Sequence, residues 1–292
     1  MAEILSVRDL TMRFGGVVAL NRVGFDVRKG SVTALIGPNG AGKTTVFNCL
    51  TGFYRPDAGA MRLMGADGVP LDLMELMGRP FQGSDWVSPR SFARRLYCKM
   101  FGGAALAARA GVVRTFQNIR LFKEMTVMEN LLVAQRARVD NRMVSGIFQS
   151  SGYRRAEAEA LERAWYWLDF FRLSEDGNRL AKELAYGRQR RLEMARAMCA
   201  APRLLCLDEP AAGLNPNETR ELADWILALR RGHGVTVCLI EHDMGLVMEI
   251  SDHVVVLDHG QVIASGRPER VRDDPVVLEA YLGAPEGAEE GV

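Results

Sequence analysis

Short apolar runs separated by turn signals divide much of the chain into predicted strands. Between residues 3 and 36 such runs end at Gly15-Gly16 and at Arg28-Lys29-Gly30, which predicts antiparallel strands leading into a first central strand. Runs typical of strands buried on both faces occupy residues 31–36, 204–207 and 235–240. A further core strand is predicted over 111–117, and a β-hairpin over 253–264.

Helical periodicity fills the intervals between these strands. Helices are predicted at 44–51, 125–137, 153–173 and 217–231, and another opens within 184–191. One face of this last helix carries Leu192, Ala195 and Cys199. Arg190 is directed away from that face, and a basic run of this kind is typical of a solvated surface. Strands alternating with helices predict an α/β fold, into which the helices between 118 and 183 are inserted.

The most informative motif lies between the first central strand and the first helix. It fits G-x-x-x-x-G-K-[ST], and its residues are Gly37, Pro38, Asn39, Gly40, Ala41, Gly42, Lys43, Thr44 and Thr45. Glycines let the backbone turn its N–H groups towards a phosphate, and the helix N-terminus adds partial positive charge. Lys43 is predicted to reach the β- and γ-phosphates of a nucleotide, and the Thr44 hydroxyl to bind Mg²⁺. A glycine-rich turn without a ligand is disfavoured, because the lysine and the threonine both stand in register.

Polar side chains follow the other buried runs. Asp208 and Glu209 come directly after 204–207, so a buried parallel strand delivers two carboxylates at its C-terminal end. His242 follows the run at 235–240 in the same way. Open α/β sheets place their binding sites at this edge, which makes these residues candidates for chemistry on the nucleotide.

Composition and charge narrow the classes of function. The 292 residues are 48% apolar and 25% charged, and a net charge of +1 gives no reason to expect a nucleic acid partner. The five cysteines, odd in number and without a C-x-x-C pair, are expected to be reduced thiols and not zinc ligands. The N-terminus lacks a signal-peptide pattern, and no apolar run approaches the roughly 18 residues that cross a bilayer. We therefore expect a protein that is not itself a channel.

Residues 66–109 interleave basic and aromatic side chains with several glycines and prolines. Six basic residues stand against four acidic ones in this segment. Such a surface could contact lipid headgroups. An ordinary insertion packed on the core is the favoured interpretation.

Taken together, these segments resemble the ATP-binding cassette family from about Glu3 to Gly283. The motifs stand in the family's order: the phosphate loop, Gln117, the signature-like segment 184–189, Asp208-Glu209, the loop at Asn215, and His242. The resemblance implies a single ABC ATPase domain over 1–292, with a P-loop NTPase (RecA-like) α/β core, an N-terminal antiparallel β subdomain and an inserted α-helical subdomain. The nucleotide-binding core is expected at 1–65, 110–117 and 186–265, the insertion at 66–109, the helical subdomain ending in the signature loop at 118–185, and a C-terminal tail at 266–292.

The resemblance also implies roles for residues in hydrolysis of ATP with Mg²⁺. Glu209 would polarise the attacking water, and Asp208 would hold Mg²⁺. His242 would contact the γ-phosphate, and Gln117 would link the Mg²⁺–water cluster to the helical subdomain. Phe14, which by position alone could be a core residue, would stack on adenine.

Cassettes of this family close as head-to-tail dimers, so Ala185 and Gly187 of one chain would cap the nucleotide of the other. Most cassettes carry a serine at the position of Ala185. Since its hydroxyl is absent here, we expect a non-identical partner and two nucleotide sites that differ in rate. Arg188 is a second departure, because an acidic or amide residue is usual there.

Several segments are similar to one subfamily, the larger ATPase subunit of bacterial high-affinity branched-chain amino acid importers. They occupy 13–16, 48–54, 113–117, 121–127, 211–216 and 280–283. The resemblance implies two membrane permeases, a second, non-identical cassette and, indirectly, a periplasmic binding protein, at the cytoplasmic face of the bacterial inner membrane. Cargoes such as urea, amides or lipid, and an export system, stay open because fold does not determine cargo. A nucleic-acid or ribosome-associated cassette is disfavoured, since the chain has one cassette, no long heptads and no C-x-x-C.

Overall fold

The structure of the chain, a computed structural model, describes residues 2–65, 67–78, 93, 96–98, 100, 102–135 and 151–282. In the part described, the strands are β1 (Glu3–Phe14), β2 (Val17–Arg28), β3 (Val32–Ile36), β4 (Ala58–Met64), β5 (Pro70–Asp72), β6 (Val112–Arg114), β7 (Leu204–Asp208), β8 (Thr236–Ile240), β9 (His253–Asp258) and β10 (Gln261–Gly266). The helices are α1 (Lys43–Leu50), α2 (Leu73–Leu76), α3 (Ala104–Arg109), α4 (Val127–Ala134), α5 (Ser151–Phe170), α6 (Tyr186–Cys199), α7 (Pro216–His233), α8 (Met244–Ile250), α9 (Pro268–Arg272) and α10 (Pro275–Leu282).

The strands form two sheets of different character. A six-stranded sheet has the order β10-β9-β3-β8-β7-β6. Its neighbouring strands from β9 to β6 are parallel, and β10 joins β9 as an antiparallel hairpin partner. A four-stranded antiparallel sheet has the order β2-β1-β4-β5. The predicted α/β fold with an N-terminal antiparallel sheet is confirmed.

The central strands are buried on both faces, because a different apolar layer covers each side of the large sheet. Every residue of β3, β7 and β8 is buried. On one side Leu35 and Ile240 belong to a cluster that includes Phe47 of α1 and the inner face of the antiparallel sheet. On the other side Leu207 and Leu239 pack with apolar residues of α4 to α7. Since each fully buried aliphatic side chain contributes about 1.5–3 kcal/mol, strands in this position favour a largely apolar sequence.

Helix α7 shows how local sequence sets the limits of an element. Asn215 caps its N-terminus by accepting hydrogen bonds from the backbone N–H groups of Asn217 and Glu218. The Glu218 carboxylate in turn accepts a hydrogen bond from the N–H of Asn215, which completes a capping box. Gly234 ends the helix in a left-handed conformation with φ 62°. These signals place the ends near those expected from the sequence.

One strand is shorter than the sequence-based expectation, and the described part of the expected C-terminal tail is helical. The strand expected over 111–117 is limited to β6, because the carbonyls of Phe116 and Gln117 accept hydrogen bonds from Arg190 and not from β7. The region after residue 266 contains α9 and α10, whose Val271 and Val277 are buried against β9.

Much of the segment 66–109 lies outside the described residues, including the aromatic side chains Phe81, Trp86, Phe92 and Phe101. Within the described part, β5 extends the antiparallel sheet by pairing with β4. Tyr97 is exposed and Cys98 is buried. The C-terminal end of the helix predicted at 125–137 and the last residues of the C-terminal tail likewise lie outside the described residues.

Candidate nucleotide-hydrolysis site

Four predicted site segments meet at one edge of the large sheet. The phosphate loop follows β3, Gln117 follows β6, Glu209 follows β7, and His242 follows β8. These strands are parallel neighbours, so their carboxyl ends lie at the same edge. The topology therefore brings together residues that are far apart in sequence.

The phosphate loop depends on glycine at two positions where the backbone leaves no space. Gly37 has φ 146°, and a Cβ there would lie 2.0 Å from the carbonyl oxygen of Leu257. Gly42 has φ 101°, and its Cβ would lie 2.9 Å from the carbonyl oxygen of Ala19. Both conformations exclude ordinary L side chains. The loop is braced by the strand β9 and by β2, which holds its N–H groups in place for an anion.

The Lys43 ammonium is buried and lies against its own loop. Nζ donates to the carbonyl oxygens of Gly37 at 2.6 Å and Pro38 at 2.9 Å. Burial lowers the pKa of Lys43, and the charges of Glu209 and Asp208 oppose that shift. The cation thus belongs to the same electrostatic cluster as the two carboxylates, and it can bond phosphate oxygens in place of the loop carbonyls.

The Glu209 carboxylate is held between two other predicted residues. Its Oε2 accepts from Gln117 Nε2 at 2.6 Å, and its Oε1 lies 3.0 Å from His242 Nε2. An ionised carboxylate only accepts, so the His242 bond requires the proton on Nε2. Glu209 also adopts φ 47°, a left-handed conformation that is costly for a residue with a side chain. Strain at a residue with this set of contacts is the kind of feature found at catalytic positions.

Asp208 takes part in a buried network that the sequence did not reveal. Its Oδ2 accepts from the Arg114 guanidinium at 2.5 Å, and both side chains are 5% exposed. The other terminal nitrogen of Arg114 donates to Asn48 Oδ1 of α1 at 2.6 Å. Arg114 therefore ties together β6, β7 and the helix that follows the phosphate loop. The available signal was a basic residue inside a strand predicted to be buried, which requires a charged partner.

Glu241 is a second site residue that sequence reasoning missed. It is buried, and it accepts hydrogen bonds from the backbone N–H groups of Ala211 at 2.7 Å and His242 at 3.0 Å. Burial raises the pKa of this carboxyl, although the backbone donors oppose the shift. Glu241 thereby fastens the turn after Glu209 to the segment that carries His242. Its position directly before His242 was the only signal in the sequence.

Phe14 lies at the end of β1 and is 44% exposed, so it is not a core residue. Its ring packs edge-on against Tyr54, with 5.2 Å between the ring centroids. Tyr54 is itself partly exposed and follows α1. The pair presents partly exposed aromatic surface, as a base-stacking site requires.

The side chains assigned to Mg²⁺ supply oxygen donors. Thr44 is exposed at the first turn of α1, Asp208 ends β7, and Gln117 keeps its amide oxygen while its nitrogen bonds Glu209. Mg²⁺ prefers oxygen ligands and is usually held by one or two protein groups together with phosphates. Among the residues that the structure describes, no group of three or more His, Cys, Asp or Glu side chains could hold a metal. The donor set fits Mg²⁺ brought by a nucleotide.

The signature-like segment begins α6 and contacts the turn that follows Glu209. Ala185 is the N-cap residue and makes no side-chain capping bond. A Cβ at Gly187 would lie 2.3 Å from Glu218 Oε1, so any larger residue there would displace the Glu218 carboxylate. The Tyr186 hydroxyl donates to the carbonyl oxygen of Ala212 at 3.1 Å.

Arg188, the unusual residue of this segment, is paired within the chain. Its guanidinium forms a salt bridge with Asp176, a carboxylate that is only 3% exposed. Asp176 also accepts from Arg179 at 2.9 Å. The charge of Arg188 is therefore used to join the first turn of α6 to the preceding 3₁₀ turn at Ser174–Asp176.

Arg190 does not lie on a solvated face, and that expectation was wrong. Its side chain is 2% exposed and forms a 2.8 Å salt bridge with Glu193 on the same helix. The guanidinium also donates to the backbone carbonyls of Phe116 and Gln117, in the loop of residues 116–120 that follows β6, hereafter the Gln117 loop. Those carbonyls have left the β6–β7 ladder and need donors, which explains why a basic residue is buried there.

Comparison with known families gives two matches. The family described as ABC transporter matches residues 20–212. The family described as branched-chain amino acid ATP-binding cassette transporter matches residues 261–287, the stretch that contains β10, α9 and α10.

Curated relatives align with nearly the whole chain. The high-affinity branched-chain amino acid transport ATP-binding protein BraF of Pseudomonas aeruginosa is 52% identical over 280 residues, which cover 96% of this chain and 98% of BraF. The corresponding LivG protein of Escherichia coli K12 is 49% identical over the same shares of the two chains. A probable LivG of Archaeoglobus fulgidus is 36% identical, with 97% of this chain and 96% of that protein covered.

Solved structures agree with these sequence relationships. An ATP-binding cassette of an ABC transporter in its ADP conformation superposes with a TM-score of 0.75 at 32% identity, over 97% of this chain and 100% of that one. A nucleotide-free cassette from an ABC transporter gives a TM-score of 0.74 at 32% identity, with the same coverage. Within the described residues, no helix is both long and apolar enough to cross a membrane. The predicted P-loop NTPase fold and the resemblance to the subfamily of LivG and BraF are confirmed, and the chain belongs to the ATP-binding cassette family, the ATPases of ABC transporters.

Proposed function

We propose that this ATPase is the nucleotide-binding subunit of a branched-chain amino acid importer and energises two separate membrane permeases from the cytoplasmic face of the inner membrane. The observation that carries the catalytic part is the Glu209 carboxylate, held by Gln117 and His242 at the sheet edge that also carries Lys43. The names of the BraF and LivG relatives support the cargo. The second family match, at 261–287, also supports branched-chain amino acids as the cargo, and it lies outside the residues matched by the first family.

Hydrolysis of ATP requires positioning of the phosphates and neutralisation of their charge. The backbone N–H groups of the phosphate loop and the Lys43 ammonium bind the β- and γ-phosphates. Mg²⁺ held by Thr44 and Asp208 would neutralise charge that develops on the phosphate oxygens. Phe14 provides the face on which adenine stacks.

Glu209 orients the attacking water and accepts its proton as the bond to the γ-phosphate forms. Each carboxylate oxygen offers two lone pairs, so both can keep their contacts with Gln117 and His242 and still accept from water. His242 Nε2 lies 3.0 Å from the carboxylate and would donate to the γ-phosphate of a bound nucleotide instead. The three residues form one unit whose geometry depends on the Gln117 loop.

The permeases are expected to bind the exposed aromatic surface beside this loop. Phe53 is 50% and Phe122 48% exposed, and Met125 lies on the same segment as Phe122. The Phe53 ring packs edge-on against Phe116, with centroids 5.8 Å apart, and Phe116 directly precedes Gln117. Exposed aromatic and methionine side chains are enriched in protein interfaces. Binding of a permease at this surface would displace Phe116 and, with it, the neighbouring Gln117 that contacts Glu209.

Turnover by the isolated subunit is expected to be slow and to rise when the whole transporter is assembled. A nucleotide site that another chain's signature segment completes is inactive without that chain. The test is ATPase activity of the subunit alone, of the complex with its permeases and partner cassette in liposomes, and of the complex with binding protein and leucine. A further rise with leucine but not with glutamine or urea is expected.

Two outcomes would contradict this function in different ways. Full activity of the isolated chain, indifferent to the other subunits, would remove the transport role. Stimulation by urea or an amide in place of leucine would keep the transport role and overturn the cargo.

Ala185→Ser is expected to affect the partner's nucleotide site and the stability of α6. The serine hydroxyl would cap a helix N-terminus that now lacks a side-chain cap, which stabilises the fold by about 1 kcal/mol. It would also supply a donor to the nucleotide bound by the partner cassette, worth roughly up to ten-fold in rate. The rate of the partner's site is measured in a complex in which this chain also carries Glu209→Gln, so that only the partner's site hydrolyses ATP.

Ala185→Asp is the matched control, because aspartate caps a helix equally well but offers no hydroxyl donor. It is expected to stabilise the chain and to slow the partner's site through charge repulsion. The proposed asymmetry would be wrong if Ala185→Ser lowered the rate of the partner's site. It would also be wrong if the two nucleotide sites of the unmodified transporter had equal rates.

A further inference from the structure

The most completely buried ion pair of the described side chains joins Arg190 and Glu193 on α6. Arg190 Nη1 lies 2.8 Å from Glu193 Oε2, and the two side chains are 2% and 1% exposed. Burial raises the pKa of Glu193, an effect opposed by the guanidinium and by backbone donors. Removing two charges from water is costly, and apolar residues would fill the same space at least as well. Stability alone therefore does not account for the pair.

The remaining bonds of the pair go to the Gln117 loop. Arg190 donates through Nη1 to the carbonyl oxygen of Phe116 and through Nη2 to that of Gln117, both at 2.9 Å. The Glu193 Oε1 atom receives longer bonds, 3.4 Å each, from the N–H groups of Phe116 and Arg120. The loop has left the β-ladder after β6, so the pair replaces sheet pairing as its main source of hydrogen bonds.

Two chains of hydrogen bonds connect the Arg190–Glu193 pair with Glu209 and the turn that follows it. Gln117, whose carbonyl Arg190 holds, donates its side-chain amide to Glu209 Oε2 at 2.6 Å. Arg190 Nη2 also lies 3.2 Å from the Tyr186 hydroxyl, which donates to Ala212 in the turn after Glu209. A planar guanidinium with several donors in fixed directions can serve these partners at once.

We propose that Arg190, supported by Glu193, is a positioning residue for hydrolysis. It fastens the Gln117 loop to the helix that begins with the signature-like segment, so that a displacement of α6 moves Gln117 relative to Glu209. Binding of a second cassette to the signature-like segment would then change the position of Gln117 relative to the Glu209 carboxylate of the same chain. The inference rests on the proposed role of Glu209 and deepens it.

The variant Arg190→Met/Glu193→Leu separates positioning from stability. It removes both charges together and fills the space with apolar atoms, which is close to neutral for buried pairs in other proteins. The matched control is Arg191→Met/Glu221→Leu. Arg191 is the next residue on α6, and its 2.5 Å salt bridge with Glu221 joins α6 to α7 without contacting the Gln117 loop.

In the assembled transporter, the Arg190/Glu193 variant is expected to lower kcat roughly ten-fold or more and leave KM for ATP within about two-fold. Backbone amides of 116–120 should exchange hydrogen faster in the variant, and the control should change neither quantity. In a Gln117→Ala background the same variant should lower kcat by clearly less than it does alone, because only the connection through Tyr186 and Ala212 is then left to break.

Several results would overturn the proposal. These are an unchanged kcat, a rise in KM alone, or a full additional loss in the Gln117→Ala background. If the double variant fails to fold, Arg190→Lys replaces it in the experiment. Lysine keeps the charge but cannot hold both carbonyls, so kcat should fall in a folded chain. A normal kcat in this variant would count against the proposal. Normal turnover by Glu209→Gln would instead overturn the proposed function on which the inference depends.

Discussion

Glu209→Gln should abolish nearly all ATP turnover in the transporter and leave nucleotide binding intact. The substitution removes the carboxylate that accepts the proton of the attacking water, which is worth about 10²- to 10⁴-fold in rate. Lys43, Thr44 and the phosphate loop are unchanged, and the shape of the side chain is preserved. Single-turnover hydrolysis and the Kd of a fluorescent ATP analogue separate the two effects.

Glu221→Gln is the control for this experiment, because Glu221 is a carboxylate on α7 whose partner is Arg191 and not a residue of the site. It should hydrolyse ATP at a rate close to that of the unmodified chain. A Glu209→Gln variant with near-normal turnover would show that another group accepts the proton. Loss of nucleotide binding in that variant would show that Glu209 supports the site in the ground state.

Arg114→Met should lower the free energy of unfolding by about 3–5 kcal/mol, because it leaves the buried Asp208 carboxylate without its cation. The salt bridge is 2.5 Å long with both side chains 5% exposed, and Arg114 also loses its bond to Asn48. Denaturant unfolding of the nucleotide-free chain measures the change. Mg²⁺ with ATP should stabilise the variant more than the unmodified chain, since a bound cation would compensate Asp208.

The comparison variant is Arg8→Met, which breaks the Arg8–Asp26 pair between β1 and β2. That pair is 2.6 Å long, but its side chains are 52% and 34% exposed. Exposed pairs are worth about 1 kcal/mol or less, so a small loss is expected. If the two variants lost similar amounts of stability, Asp208 would not depend on Arg114 for its charge balance.

Much of the site was predictable because it follows from local patterns and one rule of sheet topology. Apolar runs identified β3, β7 and β8; the phosphate loop marked the carboxyl end of β3, and polar residues marked those of β7 and β8. In a parallel sheet those ends share an edge, so Glu209 and His242 were expected near the phosphate loop. The glycines and Lys43 of that loop were recognisable from spacing alone, because the backbone conformation permits few alternatives.

The ion pairs around the site could not be predicted in this way. Arg190 and Arg191 are adjacent and chemically identical, yet one is buried against the Gln117 loop and the other bonds α7. The partner atoms lie far away in the chain, 74 residues from Arg190 to Phe116 and 94 from Arg114 to Asp208. Periodicity assigns a residue to a face of its own helix or strand, but it does not say what covers that face.

By itself, the sequence indicated the central strands, helices α1 and α4 to α7, their order, the phosphate loop and the family. Those properties depend on backbone conformation, hydrophobic period and motif spacing, which act over a few residues. Only the tertiary structure decided which charges are buried, where β6 ends and how Gln117 is joined to α6. These depend on backbone carbonyls and carboxylates that have lost water and must find donors from distant segments, and Arg190 and Arg114 are the side chains that reach them.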